Sequence, residues 1–462
     1  MLGCNSWRLN SDWKHAPMVW NRRAERHESS NTTKQARGFA LVSVVAAGAL
    51  LLTACGGGDT ATESATPTPT ESAVVDPNAV QPSLVGLHIE GAEGGAWASA
   101  PFGALRLWDN GTAWSQIELA KGEFKWDNLD GVIDNAESKG MTDILYVLGT
   151  TPAWAAKDPE NLNDADYPQP GAAEAPANME DWKEWVTAVA TRYQGRISSY
   201  QIWNEANLAN FFNGTPKQMA ELTKEAYDII KAIDPEAKIV AASPSTRLTK
   251  SFERFFPKYL EQLAALGWPV DVMAIHTYPD ATGDPSARAA LVIKAQELLT
   301  AANSPAIPLW DTELNYGLAG PGDIPREEIT GAGAAGFIVR TYIDDLRLGI
   351  ERSYWYIWTL QPYDLLGIQA YSGSDGEQGF FAVNDWVTGA IFGGCTEADN
   401  TVVCDFSRDG TSWKVAWAQS GEATYVTPEN SQLICDPLAT CIEAAPSSAT
   451  TLTEIPVRIY LQ

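Results

Sequence analysis

From Leu84 to Thr359, short apolar runs alternate with longer stretches whose apolar residues recur every three or four positions. The runs are Leu84–Ile89, Ala104–Trp108, Ile144–Leu148, Tyr200–Trp203, Lys238–Ala242, Val270–Ile275, Ile307–Trp310 and Tyr354–Trp358. Runs without polar alternation mark parallel strands buried on both faces. The 3.6-residue period between them marks crossover helices. Eight such units in about 275 residues predict a closed (β/α)8 TIM barrel, whose usual length is about 250 residues.

The helix signals are explicit. Thr215 can cap a helix, Pro216 suits its first position and Gln218 completes a capping box. Met219, Leu222, Ala226, Ile229, Ile230 and Ile233 then share one face, and Asp234-Pro235 ends it. A second helix runs from Met179 with Trp182, Trp185, Val186, Val189 and Tyr193 on one side, and Gly195 stops it. These stripes read as core, with no cofactor box. The competing architecture, a doubly wound open sheet, needs a glycine-rich phosphate loop after an early strand. Gly91-Ala92-Glu93-Gly94-Gly95 lacks that spacing. Phe380–Gly393 is the expected eighth helix. Beyond it Val402–Ser407, Trp413–Trp417, Glu422–Val426 and Ile455–Leu461 are strand-like and broken by Gly, Asp and Pro, which predicts a small β-sandwich-like domain over 394–462.

The N-terminal region has another character. Phe39–Ala54 is apolar and uncharged, follows Lys34 and Arg37, and ends in Leu52-Thr53-Ala54-Cys55. That order describes a secretory signal, and sixteen residues are short for a membrane span. The Leu-Thr-Ala-Cys run resembles a lipobox, which implies cleavage before Cys55 and lipid on its sulfur. The 33 residues ahead of Lys34 exceed an ordinary n-region, so Met18 is an alternative start. Residues 56–81 are rich in Gly, Thr, Ser, Pro and Ala and read as a solvated tether. The expected organisation is a leader over 1–54, a tether over 55–81, a barrel over 82–393 and the β domain after it.

Charge and cysteines narrow the classes further. From Cys55 onward there are 25 Lys plus Arg against 55 Asp plus Glu, a formal charge of −30. With no basic run, binding to a nucleic-acid backbone is disfavoured. His88 and His276 are the only histidines beyond the leader, and neither has a Cys or His at metal-ligand spacing, so no metal site is expected. Cys4 lies in the leader. Cys395, Cys404, Cys435 and Cys441 are an even set in an exported chain, which predicts two disulfides. Three pairings are possible; Cys395–Cys404 and Cys435–Cys441 close the shortest loops.

Two of the runs end in glutamate: Gln201-Ile202-Trp203-Asn204-Glu205-Ala206-Asn207 and Leu309-Trp310-Asp311-Thr312-Glu313-Leu314-Asn315. In a closed parallel barrel, reactive groups gather where strands end. Two carboxyl groups delivered to one mouth are the minimum equipment for cleaving a glycosidic bond. Lys121-Gly122-Glu123-Phe124-Lys125-Trp126-Asp127, Thr151-Pro152-Ala153-Trp154 and His276-Thr277-Tyr278 punctuate the chain between them. On these residues, over Leu84 to Gly393, the chain resembles the (β/α)8 retaining glycoside hydrolases of clan A, family 39-like members above all. Ala206-Asn207 departs from the clan, which commonly has a proline there.

The resemblance implies Glu205 as general acid/base and Glu313 as nucleophile. Arg106 would be the cation, and Tyr278 the phenol donor, that keep Glu313 ionised. Asn204 would bind the sugar 2-hydroxyl, and Trp358 would be a sugar platform. Trp108, Trp154 and Tyr316 also stand at strand ends, where rings pack against sugar C–H faces. Asp109 and His276 are candidates for sugar hydroxyls. The expectation is a retaining glycosidase with no cofactor, acting on a polysaccharide or oligosaccharide and tethered to the outer side of a bacterial membrane by its lipid. The competing classes are a solute-binding lipoprotein and a barrel that grips polysaccharide without cutting it.

Overall fold

A computed structural model describes residues 76–161 and 169–462. The proposed leader, Cys55 and most of the tether lie outside the described residues. Eight parallel strands form the central sheet: β1 (Val85–Ile89), β2 (Ala104–Leu107), β3 (Ile144–Val147), β4 (Ser199–Gln201), β5 (Lys238–Val240), β6 (Met273–His276), β7 (Leu309–Leu314) and β8 (Ile350–Trp358). They neighbour one another in the order 5-4-3-2-1-8-7-6. Parallel bridges Val240–Val272 and Ser245–His276 bring β5 to β6 and close the ring. Inside, Ala104, Leu145, Val240, Val272, Ala274, Trp310 and Tyr354 pack together. This filled centre makes the barrel a scaffold with its openings only at the ends.

The helices behind the strands are α1 (Asp127–Ser138), α2 (Met179–Arg192), α3 (Pro216–Ile233), α4 (Thr249–Ala265), α5 (Pro285–Ala301), α6 (Gly331–Leu348) and α7 (Asp375–Trp386). Eight complete strand–helix units were expected. The first crossover instead carries only a 3-10 turn, Ala92–Gly94, between the left-handed glycines 91 and 95. The 14 residues between β1 and β2, four of them glycine and four alanine, offer no apolar stripe to sustain a helix there. The last helix begins at Asp375, capped by Ser374, and ends at Trp386, earlier than expected. The Thr215–Gln218 capping box on α3 forms as read, a motif worth about 1 kcal/mol. Trp126, Trp185 and Trp114 stack nearly parallel between α1 and α2, at 5.8 and 5.9 Å.

The C-terminal strands are β9 (Ile391–Ala398), β10 (Thr401–Arg408), β11 (Thr411–Ala418), β12 (Ala423–Val426), β13 (Ser431–Cys435), β14 (Cys441–Glu443), β15 (Ala449–Leu452) and β16 (Val457–Leu461). Six form an antiparallel sheet in the order 9-10-11-16-13-14, with β12 and β15 paired separately. Alternation along the strands divides the faces. Val402, Cys404, Phe406, Trp413, Val415 and Trp417 join the barrel's own core. Val403, Ala416, Ala418, Ile434 and Ile459 pack with Ala423 and Leu452 of the small pair. The β domain therefore shares its core with the barrel. Ala79 and Val80, assigned to the tether by composition, are buried and pair with Ile391 and Ala390 at the start of this sheet. The disulfides are Cys395–Cys404 and Cys435–Cys441, each across neighbouring antiparallel strands. Among the described residues no helix is long and apolar enough to cross a membrane.

Candidate active site

Arg106 organises the mouth. It sits on β2, wholly buried, and all three guanidinium nitrogens are engaged. Nε donates to Gln201 Oε1 at 2.8 Å, Nη2 to Asn204 Oδ1 at 2.7 Å and Nη1 to Glu313 Oε2 at 3.0 Å. Nη1 also lies 3.3 Å from His88 Nε2. One residue thus ties β1, β2, β4 and β7 to a single charge. A buried guanidinium is tolerable only when paired and hydrogen-bonded in this way.

Glu313 reaches the mouth through an irregularity in β7. Trp310 faces the barrel interior, and Asp311 faces outward to Arg288 of α5. Strict alternation would turn Glu313 outward as well. Against β6, Asp311 pairs with Ile275 but Glu313 pairs with His276, so β7 gains one residue there. The bulge at Thr312 re-aims Glu313 inward, a common use of bulges beside active sites. Its Oε1 then accepts the Tyr278 hydroxyl at 2.6 Å.

Glu205 follows β4 on a backbone with φ of +41°, a left-handed conformation unusual for glutamate. Such strain persists where neighbours over-determine it. Here Ala206 N donates to Ser243 O at 3.2 Å. Asn207 and Ser245 exchange two bonds, Nδ2 to the carbonyl at 2.9 Å and backbone N to Oδ1 at 2.8 Å. Asn207 is thereby a clamp between the loops after β4 and β5.

The two glutamates and His276 come together. One donor atom from each of Glu205, His276 and Glu313 lies within 4.8 Å of the others, and all three residues are buried. His276 Nδ1 is 3.3 Å from Glu205 Oε1 and 3.7 Å from Glu313 Oε2. Burial lowers the His276 pKa to about 4, so the ring is neutral near pH 7. The trio has the composition of a metal site, but both Glu313 oxygens already accept hydrogen bonds, and the Arg106 guanidinium beside them repels a cation. His276 was a candidate for sugar hydroxyls. It is wholly buried, and its Nδ1 stands between the two carboxyls.

Burial pushes both carboxyl pKa values up. For Glu205 the Ser245 hydroxyl, Arg247 and Arg106 offset part of this rise. For Glu313, His276 and Arg106 lower it while Glu205 and Asp109 press it higher. Contact separates the two. Glu313 has a guanidinium at 3.0 Å and a phenol donor; Glu205 has a neutral imidazole at 3.3 Å and the Ser245 hydroxyl, neither of them charged. Hydrogen bonds to the charged form favour it, so of the two carboxyls Glu205 is the one that holds a proton more readily. Tyr278→Phe removes a donor from the ionised form of Glu313 and raises its pKa. Activity that needs Glu313 ionised will then be lost at a higher pH as pH falls, and a pH–rate profile will show the acid limb displaced upward.

The aromatic candidates separate. Trp108 is buried at the end of β2, edge-on to Phe211 at 6.2 Å. Trp358 ends β8, where it pairs with Ile89. Trp154 donates its indole N–H to Glu118 O at 2.8 Å and meets Trp114 edge-on, which places it in the aromatic stack behind α1 and α2. Tyr316 is not at the mouth. It has no exposed surface, its hydroxyl bonds Thr341 Oγ1 on α6 at 2.6 Å, and its ring packs on Phe337 and Trp355. The extra residue in β7 reverses the side on which Tyr316 emerges. Asp109 holds the Tyr356 hydroxyl.

His88, Gln201, Thr312 and Tyr356 escaped the sequence reading as site residues. His88 Nε2 meets the Thr312 carbonyl at 3.2 Å, and Gln201 Nε2 donates to Thr312 Oγ1 at 3.2 Å. Tyr356 stands edge-on to His88 at 5.2 Å. The available signal was a polar residue interrupting an otherwise apolar strand near its C-terminal end.

Residues 96–298 match the model of glycosyl hydrolase family 10, a span that includes Glu205 but not Glu313. Among solved structures, a family 39 glycoside hydrolase from Bacteroides cellulosilyticus WH2 superposes with a TM-score of 0.62 at 16% identity, covering 83% of this chain and 82% of that one. A GH39 β-xylosidase from Caulobacter crescentus gives 0.57 at 16% identity, over 83% and 97%. A GH30 endoxylanase from Clostridium papyrosolvens C71 gives 0.52 at 14% identity, over 82% and 96%. The fold is a TIM barrel, as in these glycoside hydrolases, and within it residues 96–298 are similar to the glycosyl hydrolases of family 10.

Proposed function

We propose that the chain hydrolyses O-glycosidic bonds of a polysaccharide or oligosaccharide with retention of configuration, through a covalent glycosyl-enzyme. The observation that carries this reading is the carboxyl pair. Its closest oxygens lie within 4.8 Å. Retaining enzymes space their carboxyl groups by about 5–5.5 Å, and inverting enzymes need about 6.5–9.5 Å to admit a water.

Glu313 attacks the anomeric carbon as the glycosidic C–O bond breaks, and Glu205 gives its proton to the leaving oxygen. Glu205, now a carboxylate, takes a proton from water; the water oxygen bonds to the anomeric carbon, and the ester to Glu313 breaks. Asn204 supports both steps. Arg106 fixes its carboxamide oxygen, which leaves its amide donor for the sugar 2-hydroxyl, a bond that strengthens in an oxocarbenium-like transition state. Neighbours described as a β-xylosidase and an endoxylanase make xylan-type glycans the first substrates to try. Proton NMR of the first product decides the stereochemistry. The expected product has the anomeric configuration of the substrate, and an inverted one defeats the reading.

We further propose that the enzyme works outside the cytoplasm, held to a membrane by lipid on Cys55. The Leu52–Cys55 run after an apolar segment supports this. Cys55→Ala is expected to leave the membrane fraction or to remain unprocessed. A parent chain that carries no lipid by mass, and fractionates as the variant does, rules it out.

A further inference from the structure

Asp311 belongs to the run that delivers Glu313, yet the reaction does not use it. It is wholly buried on the outer side of β7 and receives Arg288 of α5 from Nε at 3.1 Å and Nη2 at 2.8 Å. Arg288 Nη2 also donates to Asp345 Oδ1 at 2.7 Å and to Ser353 Oγ at 3.2 Å. Thr277 completes the group. Its backbone N–H donates to Asp311 Oδ1 at 3.1 Å, its hydroxyl donates to Asp311 Oδ2, and the same hydroxyl accepts Arg288 Nε at 3.0 Å.

One arginine between two aspartates, all nearly without exposed surface, is a costly arrangement. Desolvating such a cluster commonly outweighs its Coulombic gain, and apolar residues of the same volume would often be as stable. Among the described residues, Arg288 Nη1 has no hydrogen-bond partner. Its value lies in position. The β6–β7 ladder ends at the irregular pair His276–Glu313. Past that pair, Thr277 gives its N–H to a side chain, Asp311, in place of a strand neighbour. Thr277 stands between His276, which meets both catalytic carboxyls, and Tyr278, which bonds Glu313.

We infer that Thr277, gripped by Asp311 and Arg288, is a positioning residue that replaces the missing ladder and sets the Tyr278 hydroxyl on Glu313. The inference rests on Glu313 being the nucleophile. Glu313 is faced by Arg106, Tyr278, His276, Glu205 and Asp109, and of these Thr277 governs the placement of Tyr278 and His276 alone.

The test compares Thr277→Val, Thr277→Ser, Tyr278→Phe and the Val/Phe double variant by kcat, KM, melting temperature and pH–rate profile. Valine keeps the shape and removes the hydroxyl. It is expected to lower kcat about tenfold or more, short of the 10²–10³ lost when a transition-state donor is removed outright, with KM little changed. Its acid limb is expected to move up by about one pH unit, since Glu313 loses a well-placed donor. Serine, which retains the hydroxyl, is expected to restore both. In the Tyr278→Phe background, Thr277→Val is expected to leave the acid limb where Phe alone puts it. Valine with a lower melting temperature but parental kcat and limb, or additive limb shifts in the double variant, overturns the inference. Should the valine variant not fold, Thr277→Cys, of similar size and a weaker donor, is read the same way. Full activity in Glu313→Ala would remove the underlying mechanism; an inactive Glu313→Ala beside a parental Thr277→Val would remove this inference alone.

Discussion

Glu313→Ala is expected to fall below about 10⁻⁴ of parental turnover, the scale of loss when a covalent nucleophile is deleted. The loss follows from the two-step path, because no glycosyl-enzyme can form without that carboxylate. The variant should still fold. The alanine leaves Arg106 with Gln201 and Asn204 as partners, and the Tyr278 hydroxyl then faces the open mouth. It should also still bind substrate, since Asn204 and the other side chains of the mouth are untouched. Turnover and binding measured together therefore separate an enzyme from a barrel that only grips glycan. Near-parental turnover in this variant would sink the mechanism.

Glu205→Ala is expected to divide by leaving group. With an activated aryl glycoside the first step needs no proton, so the glycosyl-enzyme forms and then accumulates for want of a base. A burst of released phenol, followed by slow turnover, is the expected trace. Added azide enters the space left by the carboxylate, needs no base, and should restore turnover by about 10²–10⁴, the range of a general acid–base contribution. Its product should be a glycosyl azide of the parent's anomeric configuration. On a natural glycan, whose alkoxide leaves poorly, the first step itself should fail. Equal losses on both substrates without azide rescue would remove Glu205 from the acid/base role. The pH dependence of the parent follows from the same pair. Activity needs Glu313 ionised and Glu205 protonated, so the profile should be bell-shaped with limbs that belong to the coupled pair.

Both carboxylates were legible because each ends an apolar run, and strand ends are where a closed barrel places its chemistry. Arg106 and Tyr278 were named with them through the family resemblance, and both bond Glu313. The mature helix caps were equally plain, since the Thr215–Gln218 box is a contact between residues three apart. Tyr316 was misplaced because its side depends on a backbone irregularity. Alternation along Leu309–Asn315 holds only until Thr312, and a single extra residue reverses every side chain beyond it.

The chain by itself determined what local pattern can encode: eight strands, the helices between them, the β-rich end with its paired cysteines, and the two glutamates. The tertiary structure decided what depends on residues far apart in sequence. It replaced the first helix with a turn and joined the C-terminal sheet to the barrel's core. It drew Gln201, Asn204 and Glu313 onto Arg106 and placed neutral His276 between the carboxyls. These are questions of direction and distance in a buried space. Periodicity states which face of an element is apolar, but only packing and register state what that face meets.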